Sequence, residues 1–208
     1  MLIRCRFPLK IHFSGLCFFI TTLLVFMYPD INSQDVQRER EGSGVPVLIH
    51  AVSTEPLLPF FSSFVALYEY RPVKRNGFLL GFWYGKSTST YPKDLEYPGY
   101  VQNFSAILAY RFYFWKNLHA EYQLYPGLSV FYDEVADKRY NSFSLFNEFR
   151  IGYRFDLQIG KIPFLLCLQL PVGFTLYESN EPAGFRSVRK QDPVFYIFIP
   201  NIYLGYRF

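Results

Sequence analysis

The sequence predicts an all-β protein: an eight-stranded antiparallel up-and-down β-barrel that crosses a membrane with its strands. Apolar residues recur at every second position, the alternating stretches are long, and short connections alternate with mostly longer ones. Strands of soluble proteins average about 5–6 residues, whereas an oblique crossing of a bilayer takes about 9–11. Alternation and length together therefore favour strands with one face in lipid and the other in a narrow interior.

The composition agrees with an apolar solvent on at least one face. The 208 residues suffice for one domain and include 24 Phe and 18 Tyr, while 18% of residues are charged. Soluble domains carry about 25% charged residues, and so many aromatic rings are difficult to bury in a core of this size. The charges form no basic stripe, so nothing indicates nucleic-acid binding.

Residues 1–33 have the pattern of a signal peptide that is removed after export. Basic residues at 4, 6 and 10 precede an apolar stretch over 16–28 and a polar segment over 29–33. That apolar stretch is too short for a membrane-spanning helix, which needs about 20 residues. An uncleaved signal anchor and a lipoprotein acylated at Cys17 are the two alternatives.

Cleavage after Ser33 would leave a polar, flexible lead-in over 34–44 and the barrel over 45–208. Cys167 would then be the only cysteine, so we expect neither an intramolecular disulfide nor a cysteine metal site. No catalytic residues, metal ligands or cofactor are predicted.

Eight alternating segments make up the predicted barrel: about 45–53, 60–71, 78–88, 98–113, 118–132, 141–156, 162–177 and 193–208. The second and third, fourth and fifth, and sixth and seventh are joined by short connections at 72–77, 114–117 and 157–161. The other connections, about 54–59, 89–97, 133–140 and 178–192, are mostly longer and carry more charge or proline. Membrane barrels have short periplasmic turns and longer outer loops, so both chain ends should lie on the periplasmic side.

The two faces of the predicted strands differ in chemistry. In the fifth segment, Leu118, Ala120, Tyr122, Leu124, Leu128 and Val130 share one face, and His119, Glu121, Gln123 and Ser129 share the other. In lipid an open sheet edge has no water to bond, so such strands must close into a barrel. A soluble barrel of lipocalin type would place polar residues outside, whereas here the larger, continuous face is apolar.

The minor face should line an interior that barely holds side chains in an eight-stranded barrel. Its charged and titratable members are Arg111, His119, Glu121, Glu148, Arg150, Arg154 and Arg207. Because a buried charge has to be paired, we predict a Glu–Arg network in the interior, centred on Glu121, Glu148 and Arg150. A polar pore or gate is the alternative interpretation of the same residues.

The last segment alternates up to the end of the chain through Ile202, Leu204, Tyr206 and Phe208. Behind a signal peptide, this pattern resembles the C-terminal signal of bacterial outer-membrane barrels. The mature chain as a whole resembles the small eight-stranded barrels of OmpA/OmpX type, by pattern and not by a subfamily motif. Pro200 departs from the ideal strand because it has no amide hydrogen to donate, and it predicts a bulge.

That resemblance implies a location in the outer membrane of a Gram-negative-type bacterium. It also implies contact with outer-membrane lipid and lipopolysaccharide, and recognition of residues 202, 204, 206 and 208 by the barrel-assembly machinery. The predicted role is structural, adhesive or in assembly, without enzymatic activity, with an extracellular or periplasmic protein partner that the sequence does not specify. The 178–192 connection is predicted to be solvated and mobile, although it could bind a partner or a lipopolysaccharide phosphate.

Two other functions stay open: a narrow channel for small solutes, and a lipid-modifying hydrolase resembling the lipid A deacylases. The latter enzymes use a Ser/His pair with a carboxylate. His119 and Ser129 lie on one strand about 33 Å apart at the rise of a strand, so they cannot meet. His50 could approach a serine on the second strand, but the sequence shows no acidic partner for it.

Overall fold

The computed structural model describes residues 48–89, 96–189, 196–197 and 200–208. The predicted signal peptide and lead-in lie outside these residues, as do parts of the connections predicted at 89–97 and 178–192. No helix among the described residues is long and apolar enough to cross a membrane.

Most of the described chain is strand. The strands are β1 (Ile49–Thr54), β2 (Ser63–Val73), β3 (Asn76–Ser89), β4 (Glu96–Trp115), β5 (Leu118–Asp133), β6 (Lys138–Ile159), β7 (Ile162–Glu178), β8 (Tyr196–Ile197) and β9 (Asn201–Arg207). A 3-10 turn at Leu58–Phe61 lies between β1 and β2, and a short helix, α1 (Ala183–Arg189), follows β7. The fourth and sixth predicted segments are longer in the structure, and the start of the first lies outside the described residues.

The strands form one closed antiparallel sheet. Each strand from β1 to β7 pairs with the next, and β9 pairs with both β7 and β1, which closes the ring. β8 extends the pairing of β7, so β8 and β9 are two parts of the eighth predicted segment. The predicted eight-stranded up-and-down barrel is thus confirmed as the fold of the described residues.

The register between β7 and the eighth segment shifts near Pro200, where the sequence predicts a bulge. β9 pairs with β7 up to Gln169 opposite Asn201, whereas β8 places Ile197 opposite Val172, which is a shift of one residue. Pro200 lies directly before β9, and Pro171 lies at the same level of β7. Neither proline has an amide hydrogen to donate to the ladder.

The connections alternate as predicted. Two-residue turns join β2 to β3, β4 to β5 and β6 to β7 at one end of the barrel, while longer connections lie at the other. Lys116 and Gly160 adopt positive φ angles of 48° and 63° in these tight turns, as two-residue hairpins require. The end with the short turns also holds the start of β1 and the end of β9, and the opposite end is called the mouth below.

The outer surface of the barrel is apolar. Large side chains with substantial exposure follow the outward positions of successive strands: Phe64, Phe78, Leu80, Phe82, Phe104, Leu108, Tyr110, Phe112, Tyr122, Leu128, Phe149 and Ile151. The inward positions between them are buried or partly buried. This distribution is the reverse of that in a water-soluble barrel, where the outward face is polar.

Apolar side chains are buried in the interior beside the polar ones. Buried apolar residues form a cluster that includes Val65 and Leu67 of β2, Leu79 of β3, Ile107 of β4 and Leu165 of β7. On these strands both faces are apolar at this level, so alternation could not distinguish the inward residues from the outward ones. Space is tight beside this cluster: a Cβ atom on Gly81 would lie 2.5 Å from a methyl carbon of Leu67.

Candidate functional site

Near the short-turn end, Glu69 contacts charged and polar side chains that reach it from other strands across the interior. Its carboxylate accepts hydrogen bonds from Arg111 Nη1 at 2.9 Å, from Arg154 Nη1 at 3.2 Å and from the Tyr113 hydroxyl at 2.8 Å. Arg111 also forms an ion pair with Glu121. All five side chains are buried, so each charge depends on its partners rather than on water.

A second group of charges lies around Arg150, nearer the mouth. Its guanidinium pairs with Glu148, with Nε 2.8 Å from Oε2. It also donates to Gln169 Oε1 at 3.0 Å and to the hydroxyls of Tyr125 and Tyr203 at 2.7 and 2.6 Å. The donors of Arg150 thereby tie β5, β7 and β9 to its own strand, β6.

The amides of Gln169 and Gln123 connect the two groups. The Oε1 of Gln169 accepts the bond from Arg150 described above, and its Nε2 donates to Glu121 Oε2 at 3.0 Å. Gln123 donates to Glu121 and accepts from the Tyr125 hydroxyl. The result is one continuous hydrogen-bonded network, called the lumen network below: Glu69, Arg111, Tyr113, Glu121, Gln123, Tyr125, Glu148, Arg150, Arg154, Gln169 and Tyr203. Five of the charged residues predicted for the interior, Arg111, Glu121, Glu148, Arg150 and Arg154, lie in it.

The two other predicted interior residues lie at the edge of the network and at the rim of the barrel. His119 is fully buried, with Nε2 3.1 Å from Gln169 Nε2 of the lumen network and Nδ1 3.1 Å from the carbonyl of Asn117. Its Nε2 also lies 3.7 Å from Cys167 Sγ. The Arg207 guanidinium is partly exposed at the short-turn end, 3.6 Å from Asp156 Oδ1. It lies at the rim because it belongs to the last residue of β9.

Sequence reasoning missed Glu69, which holds the short-turn group together. Its inward neighbours two and four residues earlier are Leu67 and Val65, so no polar face was visible along β2. The available signal was position: Glu69 and Arg71 follow these apolar residues at every second position, so all four lie on the same face of β2. Arg71 is also buried, and its guanidinium carbon lies 3.9 Å from the centre of the Tyr113 ring.

Aromatic rings from three strands meet on the mouth side of the lumen network, and one of them, Tyr125, belongs to that network. Trp83 of β3 meets Tyr125 of β5 edge to face with ring centroids 6.4 Å apart, and Tyr125 meets Phe146 of β6 at 5.7 Å. Trp83 and Phe146 also pack against the buried apolar cluster. Rings from three strands therefore meet above the charged groups.

At the mouth, α1 packs a side chain against the inner face of the barrel. Phe185 is fully buried, its ring centroid is 5.1 Å from that of Phe131, and both pack with Val101. Val101 and Phe131 are register partners on the inner faces of β4 and β5. The connection predicted to be solvated and mobile thus contains a short helix in its described part, in which Phe185 packs into the barrel and its neighbours from 183 to 187 are exposed.

The four predicted C-terminal signal residues lie on β9 and at the end of the chain. Tyr206 and Phe208 are exposed on the outer face, and their rings stack with centroids 6.1 Å apart. The ring of Phe208 also stacks on His50 of β1 at 5.9 Å, and its amide donates to the His50 carbonyl at 2.9 Å. Ile202 and Leu204 pair with Leu168 and Leu166 of β7.

The described histidines do not contact a serine. His50 lies among Tyr68, Tyr70 and Phe208, with Nδ1 2.5 Å from the Tyr68 hydroxyl. His119 is enclosed beside the lumen network, while Ser129 donates to Asn103 Oδ1 at 2.7 Å. Within the described ranges, no group of three or more His, Cys, Asp or Glu side chains could hold a metal ion.

The arrangement therefore consists of a filled interior within an apolar wall. Comparison of the chain with protein-family models, with curated proteins and with solved structures found no match.

Proposed function

We propose that this chain is an integral outer-membrane protein, a filled barrel with a structural, adhesive or assembly role. The observation that carries the proposal is the reversal of faces: charged side chains are enclosed and large apolar side chains are outside. In water, apolar patches on monomers rarely exceed about 300–600 Å², whereas here exposed apolar side chains recur on successive strands around the ring. Lipid removes the cost of exposing them.

The filled interior favours a scaffold over a channel. A solute path would have to pass the Phe185 contact, the Trp83–Tyr125–Phe146 rings and the lumen network in turn. The donors and acceptors of that network bond mainly to each other, and none of its charged side chains is substantially exposed. A barrel built in this way offers other molecules its loops and its outer wall.

The pattern also supports a finer proposal, that the barrel belongs to the OmpA/OmpX type and is exported to the outer membrane behind a cleaved signal peptide. On this proposal its surroundings are outer-membrane lipid and lipopolysaccharide, and the barrel-assembly machinery recognises Tyr206 and Phe208. The exposed position of both rings at the end of the last strand supports such recognition, because a partner could reach them. A protein partner outside the cell or in the periplasm would contact the loops or turns.

The decisive experiment places a charge on the outer wall. In lipid vesicles, Phe149→Arg should lower the free energy of unfolding by about 2–4 kcal/mol, the cost of arginine at the midplane of a barrel. Phe149 is 55% exposed in the middle of β6, so in water the same change would cost almost nothing. Denaturant titration, followed by the different gel mobility of folded and unfolded barrel, measures the effect.

Val135→Arg is the matched control. Val135 is 88% exposed in the connection between β5 and β6, where a charge should change the stability by no more than about 0.5 kcal/mol. Equal, small effects of the two substitutions would mean that residue 149 faces water, and the membrane proposal would be abandoned.

A further inference from the structure

The connection between β1 and β2, residues 55–62, exposes aromatic side chains at the mouth. Phe60 and Phe61, in the 3-10 turn, are 83% and 66% exposed, and Leu57 before them is exposed as well. Leu58, the residue after Leu57, turns inward and packs against the buried apolar cluster. The connection thus presents two phenylalanines outward while one leucine holds it to the barrel.

Several backbone hydrogen bonds fix this turn in place. The amide of Leu58 donates to the Glu55 carbonyl at 3.3 Å, and the amide of Ser62 donates to the Pro59 carbonyl at 3.2 Å. Ser62 has a left-handed conformation with φ of 54°, and its carbonyl accepts a bond from the Lys86 amide of β3 at 3.1 Å. The exposure of the phenylalanines is therefore a property of an ordered turn.

The surface of this connection carries no charged side chain of its own. Glu55 is its only charged residue, and that side chain is buried, with Oε2 accepting a hydrogen bond from Asn201 Nδ2 at 2.6 Å. The connection between β5 and β6, 134–137, lies at the same end of the barrel but contains exposed Glu134 and Asp137. The β1–β2 connection therefore suits apolar surroundings, and the β5–β6 connection suits water.

The exposed rings continue the apolar wall. Phe64, three residues after Phe61, is exposed on the outer face of β2 and pairs with Tyr84 of β3. The Tyr84 ring lies 5.1 Å from that of Phe104 on β4. Phe60 and Phe61 thus lie next to the edge of the surface that the proposed function places in lipid, where membrane barrels carry aromatic girdles.

We propose that residues 57–61 form a membrane anchor, with Phe60 and Phe61 inserted among the lipids of the leaflet nearest the mouth. The occupant of this surface is lipid, because the surface is uncharged and joins the apolar wall. This inference rests on the proposed membrane location. It assigns the β1–β2 connection to holding the barrel at a fixed depth and leaves the charged β5–β6 connection for contacts in water.

Spin labels on single cysteines test the depth of each site in phosphatidylcholine vesicles. The full chain carries Cys5→Ser and Cys17→Ser, and Cys167 is retained because it is only 1% exposed. Labels are attached at Phe60→Cys, at Val135→Cys and at Phe149→Cys. Oxygen concentrates in lipid and a water-soluble nickel chelate stays in water, so the ratio of their collision rates reports the surroundings of each label.

We expect the oxygen-to-nickel ratio at residue 60 to exceed that at residue 135 several-fold, although both side chains are almost fully exposed. The ratio at residue 149 should be the highest. A ratio at residue 60 like that at 135, with residue 149 still in lipid, would overturn the anchor alone and leave this surface to a protein partner. A low ratio at 149 would overturn the membrane location and the anchor together.

Gel mobility without heating establishes that each labelled variant is folded. If Phe60→Cys does not fold, Phe61→Cys provides the same test, since it lies in the same 3-10 turn and is also exposed.

Discussion

Glu69 is the acceptor shared by two buried guanidinium groups. Arg111 and Arg154 reach it from β4 and β6, and Tyr113 donates to its other oxygen. A buried ion pair is not stabilising in itself, because desolvation opposes the attraction. Removing one partner is nevertheless costly, since the charges that stay behind lose their compensation.

Glu69→Leu should therefore lower the free energy of unfolding by about 3–5 kcal/mol. The matched control is Glu134→Leu, at an exposed position, where a change within about 0.5 kcal/mol is expected. Denaturant titration in lipid vesicles measures both variants. If Glu69→Leu were as mild as the control, Arg111 and Arg154 would have to be adequately paired by Glu121 and Asp156 alone.

The sequence predicted individual interior residues where polar and apolar positions alternate cleanly. Glu121 on β5 and Arg150 on β6 were predicted to be central, and the structure pairs these two positions in register. Glu69 was not predicted because its strand carries apolar residues on both faces. Tyr125 and Tyr203 were missed too, since a tyrosine suits a lipid-facing position as well as a hydrogen-bonded interior one.

At the scale of elements, Phe185 is the one buried side chain among residues 183–187 of α1. Phe185 fixes the described part of the β7–β8 connection against Val101 and Phe131, and truncating a buried phenylalanine costs about 3–5 kcal/mol. A seven-residue helix is too short to be stable without such packing. Phe185 is therefore the anchor of α1.

In Phe185→Ala, we expect trypsin to cleave after Arg186 at least about tenfold faster, because loss of the buried ring releases the helix. The barrel itself should keep the gel mobility of the folded form. Phe60→Ala is the control, since it removes an equal ring from an exposed site and should leave this cleavage rate unchanged. Equal rates in both variants would show that other contacts hold α1.

The strands were predictable and α1 was not, for a physical reason. Alternation repeats over many residues in β5, β6 and β7, so each strand is specified several times over. A single phenylalanine among polar residues carries no periodicity, and its burial depends on which inner-face residues lie below it. The register shift before β9 was indicated by Pro200, and Pro171 lies at the same level on the neighbouring strand.

For the whole molecule, we expect the filled interior to prevent ions from crossing the membrane through the barrel. Purified protein reconstituted into planar bilayers should show no stepwise conductance, because the buried side chains of the lumen network and the aromatic rings beside it occupy the interior. A general porin measured under the same conditions is the control that steps would be detected. Reproducible steps from the chain would favour the narrow channel over the scaffold.

The closed ring, its connectivity and its reversed faces were all predictable from the sequence, because they follow from patterns that span the chain. The apolar layer inside the barrel was not, since it arises where several strands are apolar on both faces at one level. Val65, Leu79 and Ile107 meet there, and only the register between strands brings them together.

An outer wall of this kind also constrains how the protein reaches its destination. The apolar side chains that suit a bilayer would adhere to one another in the aqueous periplasm if the barrel were completed there. On the proposed outer-membrane location, transit would require an open, chaperoned chain, and the ring would be completed only as the wall enters lipid. Acquiring the native shape and entering the bilayer would then be a single event for this polypeptide.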